Sequence, residues 1–195
     1  PDMYDLETLP YPCYELYESI SFVPLITSFG CAFKCSYCAT PYLHPSMMRR
    51  GPSSVLKEIE HWLSLNVKRF VIYDDSFLYD RERYAKPLLK GIRERFGPLE
   101  IYNPNAMNAA FIDHDLAELI IGAGFREVRI GFETADPKTQ RTTGGKVTLK
   151  NFEKAVTELK SAGFKGNIIA YVMAGLPFQK AEDVRKSIEY VSTTG

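Results

Sequence analysis

From residue 22 onward, short apolar runs alternate with segments of helical periodicity, and that alternation limits the fold more than any other property of the chain. Residues 22–29 read as a strand, with Pro24 tolerable only near its start. Ser53 or Ser54 can cap a helix that puts Val55, Ile59, Trp62 and Leu63 on one face. Residues 69–73 form a second strand. A helical pattern follows from Asp80 through Tyr84, Leu88, Ile92 and Phe96, with Pro87 either kinking it or marking its real start. Residues 99–102 are a short third strand. Asp113 caps a helix carrying Leu116, Leu119 and Ile120, stopped by Gly122 and Gly124. Residues 127–132 are a fourth strand. Thr148 opens a helix with Leu149, Phe152, Val156 and Leu159, stopped by Gly163. Residues 167–172 are the fifth strand, and Val184, Ile188 and Val191 mark a last helix.

Five strands alternating with five helices imply an α/β fold, a parallel sheet with right-handed crossovers. Five units fall short of a closed eightfold barrel of about 250 residues. They leave the fifth strand with an edge that a further segment or a partner should cover. In such sheets chemistry gathers beyond the carboxyl ends of the strands. The residues found there are three cysteines, then Asp74 and Asp75, Asn103 and Asn105, Glu133, and finally Gly175 and Pro177. Polar and metal-binding groups thus converge on one rim.

Composition narrows the function. With 45% hydrophobic and 25% charged residues, the 195-residue chain can bury a single core. Lys and Arg number 24, as do Asp and Glu, so a protein that holds nucleic acid by bulk charge is excluded. No apolar run reaches the ~18–20 residues that span a bilayer, so no membrane role is expected. The first residues lack the basic and apolar regions of a signal peptide. Residues 1–20, rich in Pro, Tyr and Glu, read as a linker or N-terminal arm, and residues 21–195 as one domain. Because the chain opens on Pro1 and not on Met, a processed or excised piece of something longer is expected.

Cys31, Cys35 and Cys38 fall within eight residues, spaced C-x3-C-x2-C, while Cys13 stands alone. That is not a secreted disulfide framework; it suits a reducing, cytoplasmic compartment and a metal. Thiolates favour zinc or iron–sulfur clusters. A closed zinc site needs a fourth ligand, here Cys13, His44 or His61, whereas three ligands alone leave one metal position open for a small molecule. A redox pair of Cys35 and Cys38, a structural zinc module and an electron-transfer module all stay open at this point.

Gly30-Cys31-x3-Cys35-x-Tyr37-Cys38 directly after a first strand resembles the radical S-adenosylmethionine superfamily. The resemblance runs from about residue 21 to the end. It implies a partial (β/α)6 TIM-like barrel, here truncated to about five β/α units and incomplete at its C-terminus. It also implies a [4Fe–4S] cluster on Cys31, Cys35 and Cys38 whose fourth iron chelates S-adenosylmethionine. One electron, from a donor such as flavodoxin or ferredoxin, would cleave the sulfonium to methionine and a 5′-deoxyadenosyl radical that activates a substrate. Tyr37 matches the aromatic residue whose backbone lies near the adenine. Asp74 and Asp75 fall where many members carry Gly-Gly-Glu, which meets the methionine amino group; both glycines are absent here. Glu133 matches a polar position near the ribose or methionine end. Gly175 and Pro177 lie in a stretch resembling the second half of a Gly-x-Ile-x-Gly motif that supports adenine packing, with Tyr171 in place of its first glycine. Arg141 and Lys146 are candidates for the methionine carboxylate.

Leu9-Pro10-x-Pro12, the stretch from Tyr73 to Phe77, and Ile130-Gly131-Phe132-Glu133 resemble members that follow a cobalamin-binding domain, which would precede Pro1. The resemblance then implies methylation or rearrangement of an unidentified substrate, with a methylthiotransferase-like member as the alternative. Other features read as scaffold. His61 and His114 are surface or structural positions, and His44-Pro45 is a turn. Arg49-Arg50 is a solvated pair by default. Gly144-Gly145-Lys146 lacks the first glycine and the hydroxyl residue of a phosphate loop and reads as a flexible turn. Gly122-x-Gly124 is a helix stop.

Overall fold

Eight strands and seven α-helices follow one another in the computed structural model, which describes residues 5–194. Residues 1–4 of the expected arm, and residue 195, lie outside the described residues. The elements are β1 (Val23–Leu25), β2 (Ser28–Phe29), α1 (Thr40–Leu43), β3 (Met48–Arg49), α2 (Pro52–Ser64), β4 (Arg69–Ile72), α3 (Ala85–Phe96), β5 (Glu100–Tyr102), β6 (Met107–Asn108), α4 (His114–Ala123), β7 (Glu127–Glu133), α5 (Pro137–Thr143), α6 (Leu149–Ser161), β8 (Asn167–Val172) and α7 (Ala181–Thr194).

β1, β4 and β5 pair in parallel, as do β6, β7 and β8. The two groups meet where Ile101 bridges Phe125 and accepts the Arg126 N–H at 2.9 Å. The expected third strand, residues 99–102, is β5, which faces β4, and a further short run that was not expected, β6, faces β7. Pro104 lies between them and has no N–H to give a ladder. The Asn103 side chain stands in, its Nδ2 donating to Arg129 O on β7 at 3.3 Å and to Asn105 O at 3.1 Å. Sheet order thus follows sequence order, and among the described residues it does not close, as befits part of a TIM-like barrel.

One face of the sheet carries the core. Val23, Leu25, Phe70, Ile72, Ile101, Val128, Ile130 and Phe132 are buried there against Trp62 of α2, Leu88 and Ile92 of α3, Ile120 of α4 and Phe152 of α6. Strand alternation turns the intervening residues to the other, half-exposed face.

Several boundaries differ from expectation. The first strand breaks after Leu25: Thr27 turns its N–H and hydroxyl to Asp74, and Ser28 and Phe29 pair antiparallel with β3. Neither Ser53 nor Ser54 caps α2, which starts at Pro52 behind Gly51. The Gly51 N–H is taken by the carboxylate of Glu7 from the N-terminal arm. The helix expected from Asp80 begins at Ala85, with Pro87 inside its first turn, where a missing N–H costs nothing. Helix α5 was not expected, although Asp136-Pro137 is a start signal; Asp136 accepts the Thr139 N–H at 2.8 Å. Asp113 and Thr148 cap α4 and α6 as expected. Along the arm, Leu6 is buried and the Tyr14 ring lies 5.5 Å from that of Trp62.

Gly124 ends α4 at φ +98°, and a Cβ there would stand 2.0 Å from Leu99 O. Gly163 has a similar φ of +90° but open space around it. Gly124→Ala should therefore cost about 3–5 kcal/mol, left-handed strain plus overpacking, against about 1–2 kcal/mol for Gly163→Ala. Urea midpoints at unchanged m-value would measure both, and equal losses would contradict the crowding at Leu99.

Candidate active site

The carboxyl ends of the strands bring the expected residues to one rim, but in unequal roles. Asp74 and Asp75 follow β4 and reach back to the start of the cysteine loop. Asp74 is buried and accepts the Thr27 N–H at 2.7 Å, the Ser28 hydroxyl at 2.8 Å and the Thr27 hydroxyl. These bonds point its carboxylate into the turn after β1. Burial raises the Asp74 pKa, against the pull of those donors. Asp75 accepts the Gly30 N–H at 2.9 Å through Oδ2 and lines a cleft with Cys31, Phe33, Asn108, Gly131 and Lys146. Of the two carboxylates, Asp75 is the one that faces open space.

Gly30 has φ +85°, and a Cβ there would meet Ser46 O at 2.7 Å. This left-handed turn directs the chain into the cysteine loop. Cys31 and Cys38 are half-buried, Cys35 is buried, and all three thiols are free. Cys38 Sγ lies 3.3 Å from the Thr40 hydroxyl, and the Phe33 N–H meets Cys31 Sγ at 3.5 Å. Among the described residues, no three His, Cys, Asp or Glu side chains stand together at metal-ligand distance, so the thiols share a loop without converging on one point. Three free thiols on one short loop, two of them reachable from solvent, remain a donor set that fits a soft metal cluster.

Glu133 closes β7. The strand is bulged there, with Gly131 opposite Tyr171 and Glu133 opposite Val172, and Glu133 itself takes φ +71°. The extra residue, Phe132, is locked in the core between Phe152 and Tyr190, at ring distances of 4.8 and 5.5 Å. Glu133 is thereby turned to Lys146, with Oε1 and Nζ 2.8 Å apart. Burial works against the Lys146 charge, but the Glu133 carboxylate outweighs it and holds the ammonium above its ordinary range. The Lys146 ammonium also stands 5.8 Å from the Tyr37 ring. Tyr37, Cys35, Glu133 and Lys146 line one small cleft together. Burial pushes the Tyr37 phenol up, with Glu133 adding to it, and burial likewise raises the Cys35 thiol while Lys146 draws it down.

Gly175 and Pro177 lie on the loop after β8. Gly175 has φ +91°, and the N–H groups of Gly175 and Leu176 both donate to Gln179 Oε1, at 2.8 and 3.2 Å. Gln179 Nε2 returns to Met173 O at 3.0 Å, closing the loop on itself. Leu176 and Pro177 line a cleft of about 660 Å³ together with Ser36 and Tyr37 of the cysteine loop. Sequence reasoning did not find Gln179, Gly144 or Asn108; only Gln179, seven residues past the end of β8, sits in a place where a loop staple is a natural guess.

The other candidates go elsewhere. His44 stacks on Phe29, His61 packs edge-on to Trp62, and His114 lies beside Glu158. Cys13 is exposed before a short 3-10 turn. Arg141 is exposed on α5. Arg49 and Arg50 are not the solvated pair expected. Arg50 forms a buried ion pair with Glu58, and the Arg49 guanidinium covers the Tyr84 ring at 4.2 Å while donating to Tyr79 O.

A sequence model of the radical SAM superfamily matches residues 25–191. Over 142 residues the chain is 30% identical to bacteriochlorophyllide d C-12(1)-methyltransferase of Chlorobaculum tepidum, covering 70% of this chain and 30% of that one. Ribosomal protein uS12 methylthiotransferase RimO of Thermodesulfovibrio yellowstonii is 23% identical over 171 residues, 83% of this chain and 39% of its own. Among solved structures, the radical S-adenosylmethionine methyltransferase TsrM of Kitasatospora setae superposes with a TM-score of 0.77 at 22% identity, over 89% of this chain and 34% of that one. That enzyme has also been solved with cobalamin and a [4Fe-4S] cluster bound. The chain thus spans 30 to 39% of these relatives.

Asp74 provides a test of how the rim is held. Its folded-state pKa lies above the unfolded value, so the folded protein keeps this proton longer as pH rises. The resulting stability is complete below about pH 4 and is lost as pH climbs through the raised value. Asp74→Asn should remove that slope. Asp74→Ala should cost about 2–4 kcal/mol by stranding the Thr27 N–H and its neighbours. Urea denaturation of wild type and Asp74→Asn at a series of pH values measures this, and parallel curves would refute the assignment.

Proposed function

The chain belongs to the radical SAM superfamily, and we propose that residues 21–195 are most of the catalytic core of a methyltransferase of that superfamily. In this reading Cys31, Cys35 and Cys38 hold a [4Fe–4S] cluster, and S-adenosylmethionine lies along the rim from the cysteine loop to the loop after β8. Such a cluster, when bound, would supply the one-electron reduction that splits the sulfonium of S-adenosylmethionine. The observation that carries the reading is the sharing of clefts: Cys31 with Asp75, Cys35 and Tyr37 with Glu133 and Lys146, and Tyr37 with Leu176 and Pro177.

The chain's own residues bind, orient and exclude water. Asp75, with one oxygen on Gly30 N–H, has a second oxygen for an ammonium group, the charge-assisted partner that a carboxylate binds best. Glu133 and Lys146 form a neutral pair whose members can each take a ligand group of opposite charge: an amino or hydroxyl donor at Glu133, a carboxylate at Lys146. The cleft lined by Tyr37, Leu176 and Pro177, with polar neighbours such as Thr139 and Asp183, offers apolar contacts and hydrogen-bonding groups to a planar base, and the staple of Gln179 keeps the Pro177 loop in place. Asp74 serves the site from behind, through Thr27 and Ser28.

Methyl transfer is the leading reading on the methyltransferase relative matched over 142 residues, and the uS12 methylthiotransferases, matched over shorter stretches at 30 and 34% identity, support methylthiolation as the second. Cobalamin would come from a domain outside these residues, and the electron from a low-potential donor such as flavodoxin or ferredoxin. Family membership weighs against the zinc and electron-transfer readings. No helix is long and apolar enough to cross a membrane among the described residues.

Anaerobic reconstitution with iron and sulfide, reduction, and addition of S-adenosylmethionine should yield 5′-deoxyadenosine or a demethylated product, read by mass spectrometry. Ala at Cys31, Cys35 or Cys38 should abolish cluster retention. Asp75→Asn should weaken S-adenosylmethionine binding about tenfold, roughly 1.4 kcal/mol, with an unchanged melting temperature. A cluster that survives Cys35→Ala would refute the ligand assignment.

A further inference from the structure

The sequence marks Gly144-Gly145-Lys146 as a turn without a task, yet the structure seats it directly on the cysteine loop. The Ser36 N–H donates to Thr143 O at 3.0 Å, a backbone bond between the middle of the cysteine loop and the end of α5. Gly144 takes φ +147°, and a Cβ there would stand 2.8 Å from Cys35 Sγ and 3.1 Å from Cys35 Cα. Backbone and thiol are thus in contact with no room for a methyl group. Two residues on, Lys146 lines both the cleft that contains Cys35 and the cleft that contains Cys31. Its ammonium is held at 2.8 Å from Glu133, beside Gly131 of the same strand.

We propose that residues 143–146 are a brace for the cysteine loop, in which Gly144 fixes Cys35 by contact and Lys146 supplies a positive charge that governs how readily a cluster on those cysteines accepts an electron. Gly144 is a positioning residue in this scheme, and Lys146 acts on the cluster by its charge. The steric half concerns the protein alone; the electrostatic half rests on the reading of these cysteines as cluster ligands. A cation held in a partly buried place favours the added negative charge of a one-electron reduction by ordinary Coulomb attraction, and screening there is weak. Glu133 restrains that effect and also keeps the ammonium in place.

Two measurements test the two halves separately. Hydrogen exchange followed by mass spectrometry on the cluster-free protein reads the brace through the Ser36 amide. Gly144→Ala should speed exchange at least tenfold in the peptide covering residues 31–38, while peptides from α2 and α3 stay as in wild type; unchanged exchange at 31–38 would overturn the brace. The reconstituted protein, reduced stepwise with dithionite in the absence of S-adenosylmethionine and followed by electron paramagnetic resonance, reads the charge. Lys146→Met should move the midpoint to more negative potential by a factor of about ten in the reduction equilibrium, about 59 mV for one electron. Lys146→Arg should restore most of that shift. An unmoved midpoint in Lys146→Met, or equal shifts in the Met and Arg variants, would overturn the electrostatic role. A wild-type protein that assembles no cluster would refute the proposed function and the electrostatic half with it, while the exchange measurement still decides the brace.

Discussion

The two aspartates after β4 hold the rim together. Asp74 draws Thr27 and Ser28 to itself with three hydrogen bonds, and Asp75 takes the Gly30 N–H. Those four bonds end the first strand early, fold residues 26–30 across the end of β4 and present the cysteine loop above the sheet. A buried carboxylate is costly unless its oxygens are satisfied, and here several donors meet the requirement. The consequence is a division of labour between neighbours: Asp74 is consumed by the scaffold, and Asp75, one residue further and on the other side of the chain, keeps an oxygen for a ligand.

Much of this was legible in the sequence because it is written in short-range signals. The strand–helix alternation, the caps at Asp113 and Thr148, and the stop at Gly124 are local, and each holds. What escaped depends on partners far along the chain. The break after Leu25 is set by Asp74, 47 positions from Thr27. The Gly51 N–H at the start of α2 is met by Glu7, 44 positions away, and the serines that look like caps lie inside the first turn, with Ser54 Oγ accepting from Arg50 at 3.3 Å. The third strand ends at Tyr102 as expected, before the visible Pro104, but the short run of β6 beyond it and the Asn103 bond to Arg129 that leads to it were not legible. Arg49 and Arg50 resemble a solvated basic pair because nothing nearby in sequence shows Tyr84 or the buried carboxylate of Glu58.

The candidate site shows the same limit. The cysteines, Asp75 and Glu133 were found because they follow strands, and strand ends converge in a parallel sheet. Gly144 acts through a contact across the rim, to Cys35, and Gln179 through bonds within its own loop, to the backbone of Gly175 and Leu176. Glycine and glutamine in loops carry no chemical label, so only geometry distinguishes them from ordinary turn residues.

Strand β7 shows how the core and the rim constrain each other. Val128, Ile130 and Phe132 are buried under the helices, so the period of two would turn Glu127, Arg129, Gly131 and Glu133 to the opposite face. Arg129 there holds Glu127 at 2.6 Å and donates to the Tyr171 hydroxyl at 2.8 Å, so the lower part of that face is already paired. Gly131 adds nothing but space, and a side chain in its place would start 3.2 Å from Glu133 Oε1. The bulge then advances β7 by one residue against β8 and aims Glu133 at Lys146. That bulge persists because Phe132, the residue it inserts, fills the space between Phe152 and Tyr190. The direction of a rim carboxylate is therefore fixed by an aromatic ring on the far side of the sheet, and packing in the core reaches the site through register rather than through contact.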